Sequence, residues 1–135
     1  MKVLIDTNII LDVLCNRKDF VEDSTKILKY SEIGKIDGYI SALSFPNIVY
    51  IMRKELNPKK TQEIINYLCL ILNVLDLKTE DVKRATKENF DDYEDALQSI
   101  CASRIKAQYI VTRNIKDYKN SKVTAIKPDD LIKIL

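Results

Sequence analysis

Three aspartates stand at places in the sequence where their carboxylates could do chemistry together. Asp6 directly follows the apolar run 3–5, Asp117 follows the apolar run 109–112 by a short loop, and Asp95 lies near the start of a long helical segment. Carboxylates that converge suit a hard cation with oxygen ligands, such as Mg²⁺ or Mn²⁺. One or two such ions can activate a water molecule and stabilise the leaving oxygen in phosphodiester cleavage. The sequence therefore predicts this chemistry, provided that the fold brings the three carboxylates together.

Each aspartate also has an ordinary structural role open to it. Asp6 can cap the short helix that follows it, because Asp is a favoured N-cap residue. Asp95 belongs to the acidic stretch 91–95, where negative charge complements a helix dipole, and Asp117 can be a turn residue. On a helical wheel, however, Asp95 lies away from the apolar stripe of its helix and shares a face with small residues. That placement favours a position lining a cleft.

The composition excludes several other kinds of site. The chain has 135 residues, which predicts one domain spanning 1–135, and it is 46% hydrophobic and 31% charged, as is usual for a globular protein. It contains no histidine, so a Ser-His-Asp or Cys-His pair and an imidazole base are excluded. The two glycines do not form a phosphate-binding loop. Any chemistry must then depend on carboxylates, hydroxyls and lysines.

The cysteines and the apolar runs indicate where the protein acts. The chain has three widely spaced cysteines, Cys15, Cys69 and Cys101. An odd number at such spacing predicts buried free thiols in a reducing compartment. Asp6 interrupts the apolar start, so no signal peptide is expected, and no apolar run is long enough to span a bilayer. We therefore expect a cytoplasmic protein without a membrane partner. The formal net charge of +2 is too small to indicate a partner.

Strand-like and helix-like segments alternate along the chain. Short apolar runs predict strands at 3–5, 39–41, 74–75, 109–112 and 123–126, and helical periodicity predicts helices at 9–14, 21–33, 44–56, 60–72, 79–88, 91–108 and from 128 onward. Ser44 and Thr79 are the predicted caps of their helices. The alternation predicts an α/β domain with a mostly parallel sheet, in which functional residues gather at the carboxyl ends of the strands.

The residues at these strand ends match a known family. Residues 3–8 resemble the opening strand and the Asp-Thr-Asn of PIN-domain nucleases, and 94–97 resemble the Asp-Ala helix start of that family. Residues 109–114, with Asp117 and Tyr118, resemble its strand, Thr-Arg-Asp and Asp-Phe segment. The resemblance covers essentially the whole chain and is closest to VapC-type toxins and their relatives. It implies a three-layer α/β/α domain with a central, mostly parallel sheet.

The resemblance also implies a function and a set of site residues. It implies a metal-dependent endoribonuclease in which Asp6, Asp95 and Asp117 are catalytic and hold Mg²⁺ or Mn²⁺, which lowers the pKa of a water that attacks phosphorus. Asn8 and Thr112 would steady the site by hydrogen bonds. The substrate would be RNA, an antitoxin protein would obstruct the cleft, and the chain would form a homodimer.

Two positions depart from the family pattern. Asn47 is the counterpart of a glutamate early in the helix after the second strand, and Asn114 stands where Thr-Arg-Asp has its aspartate. Each asparagine keeps a coordinating oxygen but removes a negative charge, which should weaken the binding of a hard cation. Glu94 or Asp92 could serve as reserve ligands. The departures support an alternative, a weakened PIN domain that binds RNA or protein without cleavage.

A further alternative is a phosphotransferase with a nucleophilic strand-end aspartate, as in haloacid dehalogenase-like enzymes. Such enzymes need Asp-x-Asp after the first strand, whereas Asn8 fills the second place here.

Basic residues close to the predicted site offer phosphate contacts. Arg113, Lys116, Lys119 and Lys122 flank it in sequence and would give affinity for RNA without sequence choice. Their ordinary alternative is a solvated charged surface. Tyr118 could stack on a base, but packing in the core or at its rim is the favoured prediction.

Overall fold

A single parallel sheet organises the domain. The computed structural model describes all 135 residues. Its strands are β1 (Lys2–Ile5), β2 (Asp37–Ser41), β3 (Asn73–Leu75), β4 (Tyr109–Val111) and β5 (Thr124–Ile126). They lie in the order β3-β2-β1-β4-β5, and every neighbouring pair is parallel. The carboxyl end of β1 therefore lies between those of β2 and β4, at the centre of one sheet edge.

Helices cover both faces of this sheet. They are α1 (Thr7–Leu14), α2 (Val21–Glu32), α3 (Ser44–Ile51), α4 (Pro58–Ile71), α5 (Thr79–Ala85), α6 (Tyr93–Arg104) and α7 (Pro128–Ile134), with a 3-10 helix at Ile115–Tyr118. Side chains alternate along β1. Val3 and Ile5 pack against α1 to α4 and α7, whereas Leu4 packs against α6 and the 3-10 helix. The predicted α/β/α fold with a parallel sheet is confirmed.

Several helices are shorter than the sequence predicts. The predicted helix 91–108 begins only at Tyr93, because the side chain of Asp92 accepts a hydrogen bond from the backbone of Asp95 at 3.1 Å. It ends before Lys106, whose positive φ of 56° leaves the helical region. The predicted helix 44–56 ends at Ile51 and the predicted helix 79–88 ends at Ala85.

Both predicted serine and threonine caps are wrong. Ser44 is the first helical residue of α3, and its hydroxyl lies 2.6 Å from that of Thr7 instead of capping the helix. Thr79 is the first residue of α5, where the carboxylate of Asp81 accepts a hydrogen bond from the backbone of Lys78 at 2.9 Å. In α3 the Ser44 hydroxyl is thus engaged by another helix, whereas in α5 the local bond runs from the Lys78 backbone to Asp81 of the same helix.

The cysteine prediction holds for one of three residues. Cys101 is buried against the sheet, but Cys15 and Cys69 are exposed. Cys15 follows the end of α1, and Cys69 lies beside Leu70, which is 84% exposed on α4. Their apolar sequence neighbours therefore did not indicate burial. No helix has the length and apolar character required to cross a lipid bilayer.

A buried ionic cluster fixes the segment that follows β4. Asp12 of α1 is fully buried and accepts hydrogen bonds from Arg113 at 2.8 Å, Ser24 at 3.2 Å and Arg17 at 3.3 Å. The Arg113 guanidinium also lies 4.0 Å from the centre of the Phe20 ring. Arg113, predicted as an RNA contact, is thus engaged in joining β4 to the hairpin of α1 and α2.

Candidate active site

Asp6 lies at the carboxyl end of the central strand, and each of its carboxylate oxygens accepts a hydrogen bond from a threonine. Its backbone N–H continues the ladder by donating to the carbonyl of Val111 at 2.9 Å. Its Oδ1 accepts from the backbone of Thr7 at 2.7 Å, which caps α1, and its Oδ2 accepts from the hydroxyl of Thr112 at 2.8 Å. Asp6 is buried. Asp6 therefore both caps α1 and belongs to the candidate site.

Thr112 is the residue that links two other groups to Asp6. Its hydroxyl is fully buried and accepts from the backbone of Asn114 at 3.1 Å and from the side-chain amide of Asn8 at 3.4 Å. The Oδ1 of Asn8 is buried and has no hydrogen-bond partner. The Asn114 side chain is exposed and makes no hydrogen bond. Only the backbone N–H of Asn114 contributes to the site, by donating to Thr112.

Tyr118 joins two of the three aspartates directly. Its hydroxyl lies 3.2 Å from Oδ2 of Asp6 and 3.4 Å from Oδ1 of Asp95. Burial, followed by the charges of these two carboxylates, raises the pKa of Tyr118, so its hydroxyl keeps its proton and donates. The Tyr118 ring packs edge-on against Phe90, with centroids 6.3 Å apart. Tyr118 is buried in the core, so the prediction of core or rim packing holds. The sequence did not predict that its hydroxyl bridges two carboxylates.

The three predicted aspartates share one electrostatic environment. Loss of hydration, followed by the charges of Asp92, Asp6 and Asp117, raises the pKa of Asp95 to about 7. Burial raises the pKa of Asp6, to which the charge of Asp117 adds, despite the hydrogen bonds from Thr112, Thr7 and Tyr118. Asp95 and Asp117 also line the same cleft, of about 40 Å³. The fold thus brings Asp6, Asp95 and Asp117 together.

Asn47 reaches the same region from α3. Its side-chain amide donates to Oε1 of Glu94 at 2.8 Å. Loss of hydration and the charges of Asp92 and Asp6 raise the pKa of Glu94, although the bond from Asn47 lowers it. The charges of Asp92 and Asp6 therefore act on both Glu94 and Asp95.

A row of buried polar side chains adjoins the site. The Thr7 hydroxyl contacts that of Ser44 at 2.6 Å, and the amide of Gln98 donates to the Ser44 hydroxyl at 3.5 Å. All three residues are buried, and Oε1 of Gln98 has no partner. The row joins the beginnings of α1 and α3 to the face of α6 one turn beyond Asp95. The sequence marked Ser44 only as a helix cap and Thr7 only as part of the Asp-Thr-Asn segment. It did not indicate that they meet near Gln98, because each of the three comes from a different helix.

The donor chemistry of the site fits a hard divalent cation. Neighbouring carboxylates disfavour the charged forms of Asp6 and Asp95, and the buried Oδ1 of Asn8 has no donor, so a cation would relieve both conditions. The acidic side chains do not form a closed cage, since no group of three or more is arranged to hold an ion. The Tyr118 hydroxyl lies between Asp6 and Asp95 instead.

The raised pKa of Asp95 predicts a pH dependence of stability in the metal-free protein. Its pKa of about 7 lies above the ordinary 3.8, so the folded state binds a proton more readily than the unfolded state. The resulting stabilisation is complete below about pH 4 and is lost as the pH rises through about 7. We expect the melting temperature in EDTA to be higher at about pH 5 than at about pH 8. In Asp95→Asn this difference should shrink, and an equal difference in both proteins would contradict the assignment.

Comparisons with known proteins agree with this arrangement. A family model described as the PIN domain matches residues 2–116. Ribonuclease VapC1 of Aquifex aeolicus is 25% identical over 122 residues, covering 87% of this chain and 84% of the relative. The alignment therefore spans most of both chains.

Two solved structures share the fold. One is VapBC2 of Rickettsia felis bound to a DNA fragment from its promoter, with a TM-score of 0.72, 16% identity, and coverage of 94% of this chain and 98% of that one. The other is DNA-bound VapBC of Salmonella typhimurium, with a TM-score of 0.71, 17% identity, and coverage of 95% and 98%. Because the family model spans residues 2–116 of 135 and the fold agrees, the chain belongs to the PIN domain family.

Proposed function

We propose that this protein is a metal-dependent endoribonuclease, with Asp6, Asp95 and Asp117 as its catalytic and metal-binding residues. The observation that carries the proposal is the clustering of the three carboxylates at one edge of the parallel sheet of a PIN domain. The Tyr118 hydroxyl contacts both Asp6 and Asp95, and Asp117 lines the same cleft as Asp95. The similarity to a relative named as a ribonuclease supports the choice of RNA as substrate.

Each side chain has a role that its geometry supports. Thr112 and Thr7 fix both oxygens of Asp6 and thereby orient the carboxylate. Asn8 presents a buried oxygen that has no other partner. A bound Mg²⁺ or Mn²⁺ would supply an activated water and neutralise charge at the phosphate. Asp117, although exposed, adds the third carboxylate.

Lysines beside the carboxylates can receive the RNA backbone. Lys116 and Lys119 are exposed and line the same cleft as Asp95 and Asp117. Their ammonium groups would hold phosphates next to the carboxylates without reading the bases. Arg113 is partly exposed and lines a pocket with Lys116 and Asp117, although its Nε is bound to Asp12.

We propose further that the chain is the toxin of a cytoplasmic toxin–antitoxin pair and forms a homodimer. The similar solved structures are named as VapBC assemblies, which supports a protein partner. A small neighbouring gene that encodes a DNA-binding N-terminal half would support the pairing.

A second candidate function is a binding module without cleavage. The side chain of Asn114 makes no hydrogen bond, Asn47 supplies no charge, and the Tyr118 hydroxyl bridges two carboxylates. These features favour a weakened cation site. The phosphotransferase alternative has no such support, since Asn8 faces Thr112 and the chain is a PIN domain.

Cleavage of a panel of structured RNAs tests the two functions against each other. With Mg²⁺ or Mn²⁺ we expect shortened products, and with EDTA intact RNA. Tight RNA binding without cleavage in either metal would establish the binding module instead. Cleavage that persists in EDTA would contradict a metal-dependent reaction.

A further inference from the structure

A row of three cavities leads from the carboxylates to an exposed aromatic ring. The inner cavity is the cleft that Asp95 and Asp117 line, and it shares Lys116 and Asp117 with a middle cavity of about 450 Å³. The middle cavity shares Arg113 and Lys127 with an outer cavity of about 390 Å³. Because neighbouring cavities have lining residues in common, the three form one groove along which a chain molecule can lie.

The middle cavity is predominantly basic. Its lining includes Arg113, Lys116 and Lys127, and both lysines are exposed. Asp117 is its only carboxylate. Arg113 donates to Asp12 through Nε alone, so its two terminal nitrogens form no hydrogen bond within the protein. These cations suit the phosphates of an RNA chain that leaves the cleft.

The outer cavity offers an aromatic surface instead. Phe20 lines it and remains 41% exposed, although the Arg113 guanidinium lies 4.0 Å from the centre of its ring. The bond from Arg113 to Asp12 holds this guanidinium against the ring. Aspartates, among them Asp19 and Asp23, also line the cavity and disfavour a phosphate there. The ring is therefore a contact for the uncharged part of a nucleotide, its base.

A single exposed phenylalanine is common at protein surfaces. Phe20 differs because its ring lies at the end of a basic groove that begins at the carboxylates. A basic groove combined with an aromatic ring is the arrangement that binds single-stranded RNA, since the groove contacts phosphates and an unstacked base lies on the ring.

We propose that the outer cavity is a nucleotide subsite for RNA, in which Phe20 stacks on a base that flanks the cleaved bond. Lys127 and the free guanidinium nitrogens of Arg113 contact the phosphates between this base and the carboxylates. The subsite takes unpaired RNA, because a base must leave its own stack to lie on the ring. This inference rests on the proposed ribonuclease function and adds a point at which the RNA is held away from the carboxylates.

Binding of an oligoadenylate to the full chain in EDTA, measured by fluorescence anisotropy, tests the subsite without cleavage. The second probe is an abasic RNA of the same length, which keeps the phosphates but has no bases. Phe20→Leu keeps an apolar side chain without the aromatic face, so it should weaken oligoadenylate binding by about 10-fold. Its affinity for the abasic RNA should change by less than about 2-fold, because the phosphate contacts remain. Phe20→Tyr keeps the ring and should bind both probes as the wild type does.

Two matched controls separate the ring and the charge from general surface effects. Tyr67→Leu removes a ring that is 42% exposed on α4 and lines none of the three cavities, so it should leave both affinities unchanged. Lys127→Gln should weaken both probes alike and reduce the salt dependence of binding, because both carry phosphates. Lys133→Gln, in the last turn of α7, should change neither affinity.

The result for the two probes decides the inference. If Phe20→Leu weakens both equally, the ring acts only by supporting Arg113 and stacks on no base. An unchanged affinity of Phe20→Leu for the oligoadenylate would also overturn the subsite. In either case the proposed function stands if the wild type binds RNA and cleaves it with Mn²⁺. Wild-type protein that binds neither probe overturns the proposed function itself.

Discussion

Asp12→Ala is expected to destabilise the protein by about 3 kcal/mol. The substitution removes the fully buried carboxylate that binds Arg113, Arg17 and Ser24, and removing one partner of a buried ion pair costs about 3–5 kcal/mol. We place the value at the lower end because the side chains of Arg113 and Arg17 keep 23% and 36% of their exposure and can be hydrated. A shift of the urea midpoint measures the loss.

Asp19→Ala provides the control for this measurement. Asp19 is an exposed aspartate near the same cluster, and it makes no hydrogen bond or ion pair with its side chain. Its removal should change the free energy of unfolding by less than about 0.5 kcal/mol. If the two variants unfold at the same urea concentration, Asp12 does not brace the segment after β4.

Asp6→Asn is expected to reduce RNA cleavage by at least about 100-fold. The variant keeps the oxygen that accepts from Thr7, but it removes the central negative charge of the site. Because burial already raises the pKa of Asp6, a neutral side chain there should leave the metal-free protein as stable as the wild type. The melting temperature in EDTA and the cleavage rate with Mn²⁺ together measure the effect.

Asp129→Asn is the control variant. Asp129 is exposed in the first turn of α7, and its substitution removes one negative charge outside the three predicted aspartates. The variant should cleave RNA at the wild-type rate. Equal cleavage by the wild type and Asp6→Asn would reject the site, whereas loss of both folding and cleavage in Asp6→Asn would leave stability as the role of Asp6.

The sequence predicted the fold and the neighbourhood of the three aspartates from local pattern and topology. Apolar runs mark buried strands, and parallel strands must end at one edge, so Asp6 and Asp117 were placed by their strands alone. Asp95 followed from its place on the polar face near the start of α6. These inferences depend on local pattern and on topology, both of which a single sequence carries.

Side-chain pairing across the fold could not be predicted in the same way. Tyr118 reaches Asp6, 112 residues away, and Asn47 reaches Glu94, 47 residues away. Such pairs depend on rotamers and on how neighbouring helices are set against each other, which spacing does not encode. Arg113 shows the same limit, because its sequence position beside Thr112 indicated RNA, while the hairpin of α1 and α2 supplies its actual partner, Asp12.

The most direct test of the central claim is cleavage of a structured RNA in water labelled with heavy oxygen, with Mn²⁺ present. If a water activated at Asp6, Asp95 and Asp117 attacks phosphorus, the products carry linear phosphate ends that contain the label, and the label is absent without metal. Products that end in unlabelled cyclic phosphate would mean that a ribose hydroxyl is the nucleophile. That result would contradict a water-dependent reaction at the three aspartates.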